Sequence, residues 1–521
     1  MKHKSAIRKY HAPIWNEPVI TQMGSDGRRG LIFRESSKNY FDGVGSAQQL
    51  LPEGMYREDK PSLPELSEHE VQRHYLHLSQ ETLGMMGISL FGTCTMKYNP
   101  RLNEIVTARP EVAETHPLQH EETLQGTLHI IHNFDLILRE LSGMDNFVFQ
   151  AGGGAHAAYT HCCVTRAYHA SKGDLEQRNE IITSIQAHPC NPATAAAAGF
   201  NVVTLPLGEN GYPTTDSLKA AVSEHTAALL INNPDDMGIY NPNIDEWVNI
   251  VHDAGGLCFY DHANFNGVMG KIRARDLGFD ACMYMLHKTF GVPKGGGGPA
   301  VGAYGCSSDL APFLPSPVVT KSKDYYNLDY DRPNSIGRIR EFWGNVPQVI
   351  KAYSWARAMG AGGIEEAADI SVLANNYMES RLLKIRGITK SHPHISGYRM
   401  EMTRYSIEKV TADTGITVEE LSNRMVDFGI DAPWLAHHPW LVPQPFTPEA
   451  GESYSKEDID YWIDVVEEII LEAYENPEIV KTAPHRQPIG KIHAGLLEDS
   501  EHWAMTWRAY VRKKIIKKGK A

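Results

Sequence analysis

The chain has 521 residues, 42% of them hydrophobic and 22% charged, which is ordinary for a globular protein of two or three domains. Its 50 lysines and arginines against 63 aspartates and glutamates give a net charge of −13, which argues against a nucleic-acid-binding protein. No run approaches the roughly 20 apolar residues of a membrane-spanning helix, and no apolar block follows the charged N-terminus. Seven cysteines without a C-x-x-C pair predict free thiols and no metal site. We therefore expect a cytoplasmic protein with neither nucleic acid nor membrane as a partner.

The first part of the chain predicts an arm followed by an alternating α/β region. Residues 1–80 are rich in proline, glycine and charge, which indicates an extended arm ending in a helix from about Ser67. The helical period of residues 110–143 predicts a helix that ends at Gly143. From about 146 to 305, short apolar runs alternate with helical stretches, which is typical of βαβ units and a mostly parallel sheet. Ligands of such sheets bind beyond the carboxyl ends of the strands.

The last third predicts a second, smaller α/β region. A long helix is expected from about residue 345, and an acidic amphipathic helix follows at about 455–475. The last 14 residues hold seven basic residues and no acidic one, which favours a solvated tail over a binding segment. The expected divisions are an N-terminal arm (1–80), a large domain (81–345), a small domain (346–495) and a basic tail (496–521).

Lys288 is the first candidate for chemistry. It follows the apolar run 281–286 after one residue and precedes four consecutive glycines at 295–298. Lysine forms Schiff bases with aldehydes, and glycines permit close approach of the backbone to a ligand. A surface lysine before a flexible loop is the alternative, which this pattern alone leaves open.

Two further features stand where apolar runs end. Asp261 ends the run that starts at Leu257, and a carboxylate there can pair with a protonated pyridine nitrogen. The backbone N–H groups of a glycine-rich helix start form an anion site suited to a phosphate. That helix start comprises Gly153, Gly154, Ala155 and His156.

His188 and Asn233 complete a set whose order is informative. His188 can lay its ring against a flat cofactor, and Asn233 can donate to a phenolic oxygen. Taken singly, each member has a plain alternative. Asp261 can be a helix cap or turn residue, and the glycines can form an ordinary turn. His188 can be a core histidine, and Asn233 can be a turn residue before proline. In chain order, however, phosphate loop, ring, asparagine, aspartate and lysine follow the arrangement expected of a fold type I pyridoxal-phosphate enzyme. We therefore predict pyridoxal 5'-phosphate as the cofactor.

The residues around Lys288 resemble the lysine motif of the glycine decarboxylase family, the P-protein of the glycine cleavage system. The resemblance is closest to subunit 2 of the split decarboxylating glycine dehydrogenase. The motif reads MLHKTF at 285–290, followed by Pro293 and GGGGP at 295–299. Other matching segments lie along almost the whole chain: GRRG at 27–30, GTCTMKYNP at 92–100, HPLQ at 116–119, RAYH at 166–169, NPA at 191–193, LAPFLP at 310–315 and DRPNSIGR at 331–338.

The resemblance implies a fold and an activity. The fold would be fold type I α/β, with a mostly parallel seven-stranded sheet in the large domain and a smaller C-terminal α/β domain. The protein would be an oxidoreductase that decarboxylates glycine with pyridoxal phosphate and transfers the aminomethyl group to lipoylated H-protein. A homologous subunit 1 would join it in an α2β2 assembly, with a homodimer as the alternative.

The resemblance also implies roles for particular residues. Lys288 would hold the cofactor covalently, and Asp261 would keep its ring nitrogen protonated. His287, beside the lysine, would help to position the cofactor, and His188 would join the catalytic set. Candidates to line the substrate or lipoyl channel are Cys94, Thr95, Lys97, Asn264 and Lys294.

The sequence departs from the family pattern around the cofactor. Ala157 and Ala158 replace a Gly-Glu pair in the phosphate loop, and Pro189 replaces a glycine and removes an N–H donor. His262 replaces a glycine and is expected to place a second imidazole beside the pyridine partner, and Lys294 replaces a histidine. These changes keep two alternatives open: a paralogue acting on another small amino acid or amine, and a non-catalytic partner subunit.

Overall fold

The computed structural model describes residues 7–8, 10–30, 42–59, 63–82, 87–92, 98–293, 300–492, 495, 499–500, 503–504 and 506–518. The chain divides into two units. The first comprises residues 1–7, 88–425 and 431–481, and the second comprises residues 8–87, 426–430 and 482–521. Within the described ranges, no helix is both long and apolar enough to cross a membrane.

The first unit is built on a seven-stranded sheet. Its strands in chain order are β1 (Asn146–Ala151), β2 (Glu180–Ser184), β3 (Asn201–Leu205), β4 (Thr226–Ile231), β5 (Leu257–His262), β6 (Ala281–Met285) and β7 (Gly302–Cys306). Their order across the sheet is β1-β7-β6-β5-β4-β2-β3, and only β7 runs antiparallel to its neighbours. The mostly parallel sheet predicted from the alternating pattern is thereby confirmed.

Smaller sheets and the helices complete the described structure. Strands β8 (Val318–Ser322) and β9 (Tyr325–Asp329) form a hairpin, and β10 (Thr389–Lys390), β11 (Tyr405–Ser406) and β12 (Pro445–Phe446) form a three-stranded sheet. The helices are α1 (Ala47–Leu50), α2 (Glu68–Glu81), α3 (Arg101–Thr107), α4 (Pro110–Ala113), α5 (Gln125–Ser142), α6 (Gly154–Lys172), α7 (Cys190–Ala197), α8 (Thr215–Ala221), α9 (Ile244–Asp253), α10 (Leu286–Thr289), α11 (Val346–Leu382), α12 (Glu408–Thr414), α13 (Val418–Met425), α14 (Lys456–Glu475), α15 (Pro477–Lys481) and α16 (Trp507–Lys518).

The helix ends follow from local sequence. Ser67 caps α2 through a capping box with Glu70, so the helix begins where the sequence predicts it. Helix α5 ends at Gly143, which adopts a left-handed φ of 75°, as expected from the glycine. The long helix predicted from about 345 is α11, and Gly360, with φ 65° and ψ 179°, breaks it internally.

The core of the first unit lies on both faces of the large sheet. Side chains alternate between the faces of a strand, so neighbouring residues of β5 enter different layers. Tyr260 packs in a cluster that includes Trp247 of α9, whereas Phe259 packs in a cluster that includes Cys162 of α6. Helices therefore cover both faces, as a buried parallel sheet requires.

The same edge of this sheet collects the polar residues predicted to be functional. Strands β1, β2, β4, β5 and β6 are mutually parallel in direction, so their carboxyl ends meet at one edge. The phosphate-loop residues follow β1, His188 follows β2, Asn233 follows β4, Asp261 lies near the end of β5, and Lys288 follows β6.

Candidate active site

Lys288 lies in the one-turn helix α10, directly after β6. Its side chain is 4% exposed, so the predicted alternative of a surface lysine is wrong. The charge of Lys288 affects the pKa values of His188 and Asp261, so these three predicted residues come together in the fold. His287 is the preceding residue of the same turn and is partly buried; its positioning role stays a prediction.

Asp261 is buried and held by two donors. Its Oδ1 accepts from the backbone N–H of Ala263 at 3.0 Å, and its Oδ2 accepts from Nδ2 of Asn191 at 3.1 Å. Burial raises the pKa of Asp261, while the charge of Lys288 and both hydrogen bonds oppose that rise. A carboxylate held in place at this edge of the sheet can pair with a protonated pyridine nitrogen. Asn191 was not among the predicted site residues, although the NPA match contains it.

His188 is a neutral, oriented ring. Burial lowers its pKa to about 4. Its Nδ1 accepts from the backbone N–H of Cys190 at 3.1 Å, which places the ring proton on Nε2 at neutral pH. The ring of His437 meets it edge-on, with ring centroids 4.7 Å apart. A neutral flat ring suits the stacking role predicted for His188.

The predicted phosphate loop opens the 19-residue helix α6. The backbone N–H of Gly152 donates to Nδ1 of His156 at 3.1 Å, which orients that imidazole inside the loop. A Cβ added to Gly154 would lie 2.5 Å from Sδ of Met285, so a larger residue in this loop would have to displace that side chain at the end of β6. The free N–H groups of a helix start favour an anion.

Arg340, which no sequence pattern predicted as a site residue, adds a positive charge to the same loop. Its Nη1 lies 2.8 Å from the position of a Cβ on Gly152. Burial lowers the pKa of His156, and the charge of Arg340 lowers it further. The guanidinium is 23% exposed and donates through Nε to Glu341 and through Nη1 to the carbonyl of Ala300, at 2.9 Å and 3.4 Å. A glycine loop, a helix N-terminus and an arginine together fit a phosphate group.

Asn233 makes turn contacts. Its Nδ2 donates to the carbonyl of Asn241 at 3.1 Å, and its Oδ1 accepts from the N–H of the same residue at 2.8 Å. These bonds support the turn alternative for an asparagine before proline, while the role of donor to a phenolic oxygen stays a prediction.

Asn264 donates to both carboxylate oxygens of Glu449, at 3.0 Å and 2.9 Å. Four channel candidates, Cys94, Thr95, Lys97 and Lys294, lie outside the described residues.

The expectation for His262 is wrong. Side chains alternate along β5, so His262 points to the opposite face of the sheet from Asp261. It packs among aromatic rings, with centroids 3.6 Å from Tyr260, 4.8 Å from Phe265 and 5.9 Å from Tyr284. Neither ring nitrogen has a hydrogen-bond partner among the described residues, and burial lowers the pKa of His262 to about 3.

A cavity of about 190 Å³ is lined by Ala187 and Pro189, the two chain neighbours of His188, and its polar wall was not predicted. Asp236, Arg404 and His437 line it, together with apolar residues such as Pro189 and Leu441. The charge of Lys288 affects the pKa values of both Asp236 and His437, and so does the charge of Arg404. The residues that line the cavity do not include Lys288, Asp261 or His188.

One group of possible metal ligands exists elsewhere in the described chain. His252, Cys258 and Asp280 place their ligand atoms within 4.8 Å of one another. Asp280 Oδ2 already accepts from Nε2 of His252 and from the N–H of Cys258, each at 2.8 Å. These contacts explain the cluster without a metal.

The comparisons place this site in a known class of enzyme fold. A family model described as aminotransferase class-V matches residues 143–420, the segment that contains the sheet and Lys288. A solved structure of glycine decarboxylase (P-protein) of the glycine cleavage system, in inhibitor-bound form, aligns with a TM-score of 0.71. It covers 84% of this chain and 100% of that chain at 18% identity, so it supports the fold. The chain therefore has the class-V aminotransferase fold.

Full-length relatives identify the family within that class. The probable glycine dehydrogenase (decarboxylating) subunit 2 of Pyrococcus abyssi is 38% identical over 513 residues, covering 98% of this chain and 99% of the relative. A protein of the same description from Staphylococcus saprophyticus is 40% identical over 481 residues, covering 92% and 95%. The chain belongs to the glycine dehydrogenase (decarboxylating) subunit 2 family.

Proposed function

We propose that this chain decarboxylates glycine with pyridoxal 5'-phosphate and passes the aminomethyl group to lipoylated H-protein. The observation that carries the proposal is the full-length similarity to glycine dehydrogenase (decarboxylating) subunit 2, combined with a buried Lys288 at the edge where Asp261 and His188 meet. The stoichiometry is consistent: glycine loses CO2, its remaining carbon bonds to one sulfur of the lipoyl disulfide, and the other sulfur leaves as a thiol.

The side chains have distinct tasks in this proposal. Pyridoxal phosphate, when bound, supplies the electron sink that takes up the electron pair released with CO2. Lys288 binds the cofactor carbonyl, and Asp261 keeps a proton on the ring nitrogen, with Asn191 fixing the carboxylate. Neutral His188 packs against the ring, and the Gly152–His156 loop with Arg340 holds the phosphate.

The proposal includes partners and a compartment. The relatives are described as subunit 2, so we expect a subunit 1, and we propose an α2β2 assembly, with a homodimer as the alternative. H-protein is the proposed acceptor. The six cysteines that the structure describes form no disulfide, which supports the proposed cytoplasmic location.

A second candidate function rests on the cavity lined by Asp236, Arg404 and His437. Its volume of about 190 Å³ is more than glycine needs, because a cavity of roughly 150 Å³ holds a benzene molecule. This observation favours a paralogue that acts on another small amino acid.

The test is the exchange of the glycine carboxyl group with labelled bicarbonate. We expect exchange when the holoprotein is combined with subunit 1 and lipoylated H-protein, and loss of exchange with Lys288→Ala. The matched control is Lys390→Ala, because Lys390 is also largely buried. The Nζ atom of Lys390 pairs with Oε1 of Glu379 at 2.7 Å. The proposal fails if Lys288→Ala exchanges as fast as the control, or if the complete wild-type system does not exchange.

A further inference from the structure

The turn that follows β5 links Asp261 to the chain beside Lys288. The Oδ1 atom of Asp261 accepts from the backbone N–H of Ala263 at 3.0 Å. Two residues further on, the N–H of Phe265 donates to Oγ1 of Thr289 at 3.2 Å, and Thr289 is the buried neighbour of Lys288 in the sequence. The conformation of this turn therefore affects both ends of the proposed cofactor site.

Glu449 binds this turn through two asparagines. Nδ2 of Asn264 donates to both carboxylate oxygens of Glu449, and Nδ2 of Asn266 donates to Oε1 at 3.0 Å. The N–H of Asn266 also donates to Oδ1 of Asn264 at 3.2 Å, so the two asparagines support each other. Glu449 is 1% exposed, and its own N–H donates to the carbonyl of Leu90 at 3.1 Å. One buried carboxylate therefore joins the turn after β5 to the segment that follows β12.

The negative charge resides on Glu449 and not on Glu401, a second buried carboxyl beside the turn. Oε2 of Glu401 lies against Gly267, where a Cβ would collide with it, and has no hydrogen-bond partner among the described residues. Burial raises the pKa of Glu401 well above its usual range, and the charges of Glu449, Asp235 and Asp236 raise it further. Two nearby buried carboxyls do not both ionise, so the one that accepts N–H donors keeps the charge.

We propose that Glu449 is a positioning residue of the active site, whose carboxylate fixes the turn after β5 so that Asp261 can pair with the ring nitrogen of the cofactor. The inference rests on the proposed function, because it concerns the same cofactor site. It also gives Asn264, which the sequence predicts to line the substrate or lipoyl channel, a different task, since its Nδ2 is engaged by Glu449.

The test measures the protonation of the ring nitrogen in the holoprotein, loaded with pyridoxal phosphate that is isotopically labelled at that nitrogen. The readout is the NMR chemical shift of the nitrogen at pH 7. We expect a protonated nitrogen in the wild type and a shift toward the neutral value in Glu449→Leu, which removes both acceptors at similar volume. Cofactor binding should weaken about tenfold in the same variant, because hydrogen bonds to a charged group are lost.

A reversed pair separates this hydrogen bond from a general effect on the fold. Glu449→Gln places one NH2 group opposite the NH2 group of Asn264, so it should keep only part of the protonated signal. Adding Asn264→Asp to that variant returns an acceptor to the pair at the same total charge, and should restore most of the signal. These two variants decide the question if Glu449→Leu does not fold.

The matched control is Asp464→Asn. Asp464 is equally buried, and its Oδ1 accepts from Nη2 of Arg381 at 3.1 Å. The variant removes a buried negative charge from helix α14, so it should leave the chemical shift of the ring nitrogen unchanged even if it lowers the thermal stability.

The outcomes distinguish this inference from the proposed function. If Glu449→Leu loses the protonated signal but the complete wild-type system does not exchange the glycine carboxyl group, the inference holds and the proposed function fails. If exchange occurs and Glu449→Leu keeps the wild-type chemical shift, the inference is overturned. It is also overturned if Asp464→Asn shifts the signal equally, if the reversed pair restores nothing, or if the wild-type protein binds no pyridoxal phosphate.

Discussion

Asn191 positions Asp261, so its removal should weaken cofactor binding. Nδ2 of Asn191 donates one hydrogen bond to Oδ2 of Asp261, at 3.1 Å, and this carboxylate is buried. A hydrogen bond to a charged group contributes about 1.5 kcal/mol, which corresponds to roughly a tenfold change in affinity. We expect Asn191→Ala to raise the dissociation constant of pyridoxal phosphate about tenfold in a titration of the apoprotein. Asn375→Ala is the control, because Asn375 is equally buried but donates to Met400 and Thr403. An equal change in both variants would refute the role of Asn191.

His262 should make the fold sensitive to acid. Its pKa is lowered from 6.5 to about 3 in the folded protein, because the ring is buried among aromatic side chains. Below pH 6.5 the unfolded chain binds a proton that the folded chain excludes, so stability falls as the pH drops toward 3. The loss from this residue alone is about 2 kcal/mol by pH 5.

We therefore expect His262→Phe to lose less stability than the wild type between pH 7 and pH 5, measured by denaturant unfolding. His225→Phe is the control, because His225 is about half exposed. Identical pH dependence in the wild type and His262→Phe would contradict the account.

At the residue scale, local sequence pointed to some residues of the candidate site and not to others, for a physical reason. Lys288, Asp261 and His188 stand beside strand ends, where the α/β pattern is readable. Asp236 also follows a strand, but an adjacent pair of aspartates gives no sign of which one faces a cavity. Arg340 reaches the loop that opens α6, and Arg404 reaches the cavity, through tertiary packing alone. The wrong expectation for His262 was avoidable, because strand alternation separates residues 261 and 262.

At the element scale, the loop that opens α6 should owe its phosphate affinity to Arg340. The guanidinium lies against Gly152, so Arg340→Gln should weaken pyridoxal phosphate binding about tenfold while pyridoxal, which lacks the phosphate, binds as before. Arg338→Gln is the matched control, because that guanidinium lies over the ring of Tyr330. Equal weakening of both ligands would show that Arg340 acts on the fold and not on the phosphate.

Helix α11 offers a paired test of its internal break. Gly360, with φ 65° and ψ 179°, has a backbone conformation that is almost restricted to glycine, whereas Gly362 is helical with open space around its Cα. We expect Gly360→Ala to lower the free energy of unfolding by about 1–3 kcal/mol and Gly362→Ala to raise it by up to about 1 kcal/mol. Equal effects of the two substitutions in denaturant unfolding would argue against a real break.

The elements themselves were well predicted where the pattern is strong. The starts of α2 and α11 and the end of α5 follow from a cap, a periodic run and a glycine. The break at Gly360 was not predicted, because the glycine-rich stretch around it is compatible with a continuous helix.

At the scale of the whole molecule, strand order and the antiparallel β7 could not be derived from local patterns, because they depend on pairings between distant segments. The family resemblance predicted a mostly parallel seven-stranded sheet, which the fold confirms, but it did not predict the strand order. The cavity lined by Asp236, Arg404 and His437 was likewise not predicted, because tertiary packing forms its wall from residues that no motif marked.

The most direct test of the account is an absorbance titration of the pyridoxal-phosphate-loaded chain with glycine, in the presence of subunit 1 and lipoylated H-protein. We predict a cofactor band that is absent from Lys288→Ala and that shifts with glycine. A band that ignores glycine but shifts with another amino acid would contradict glycine decarboxylation. The absence of any lysine-linked band in the wild-type protein would contradict the conclusion that the chain is a pyridoxal-phosphate enzyme.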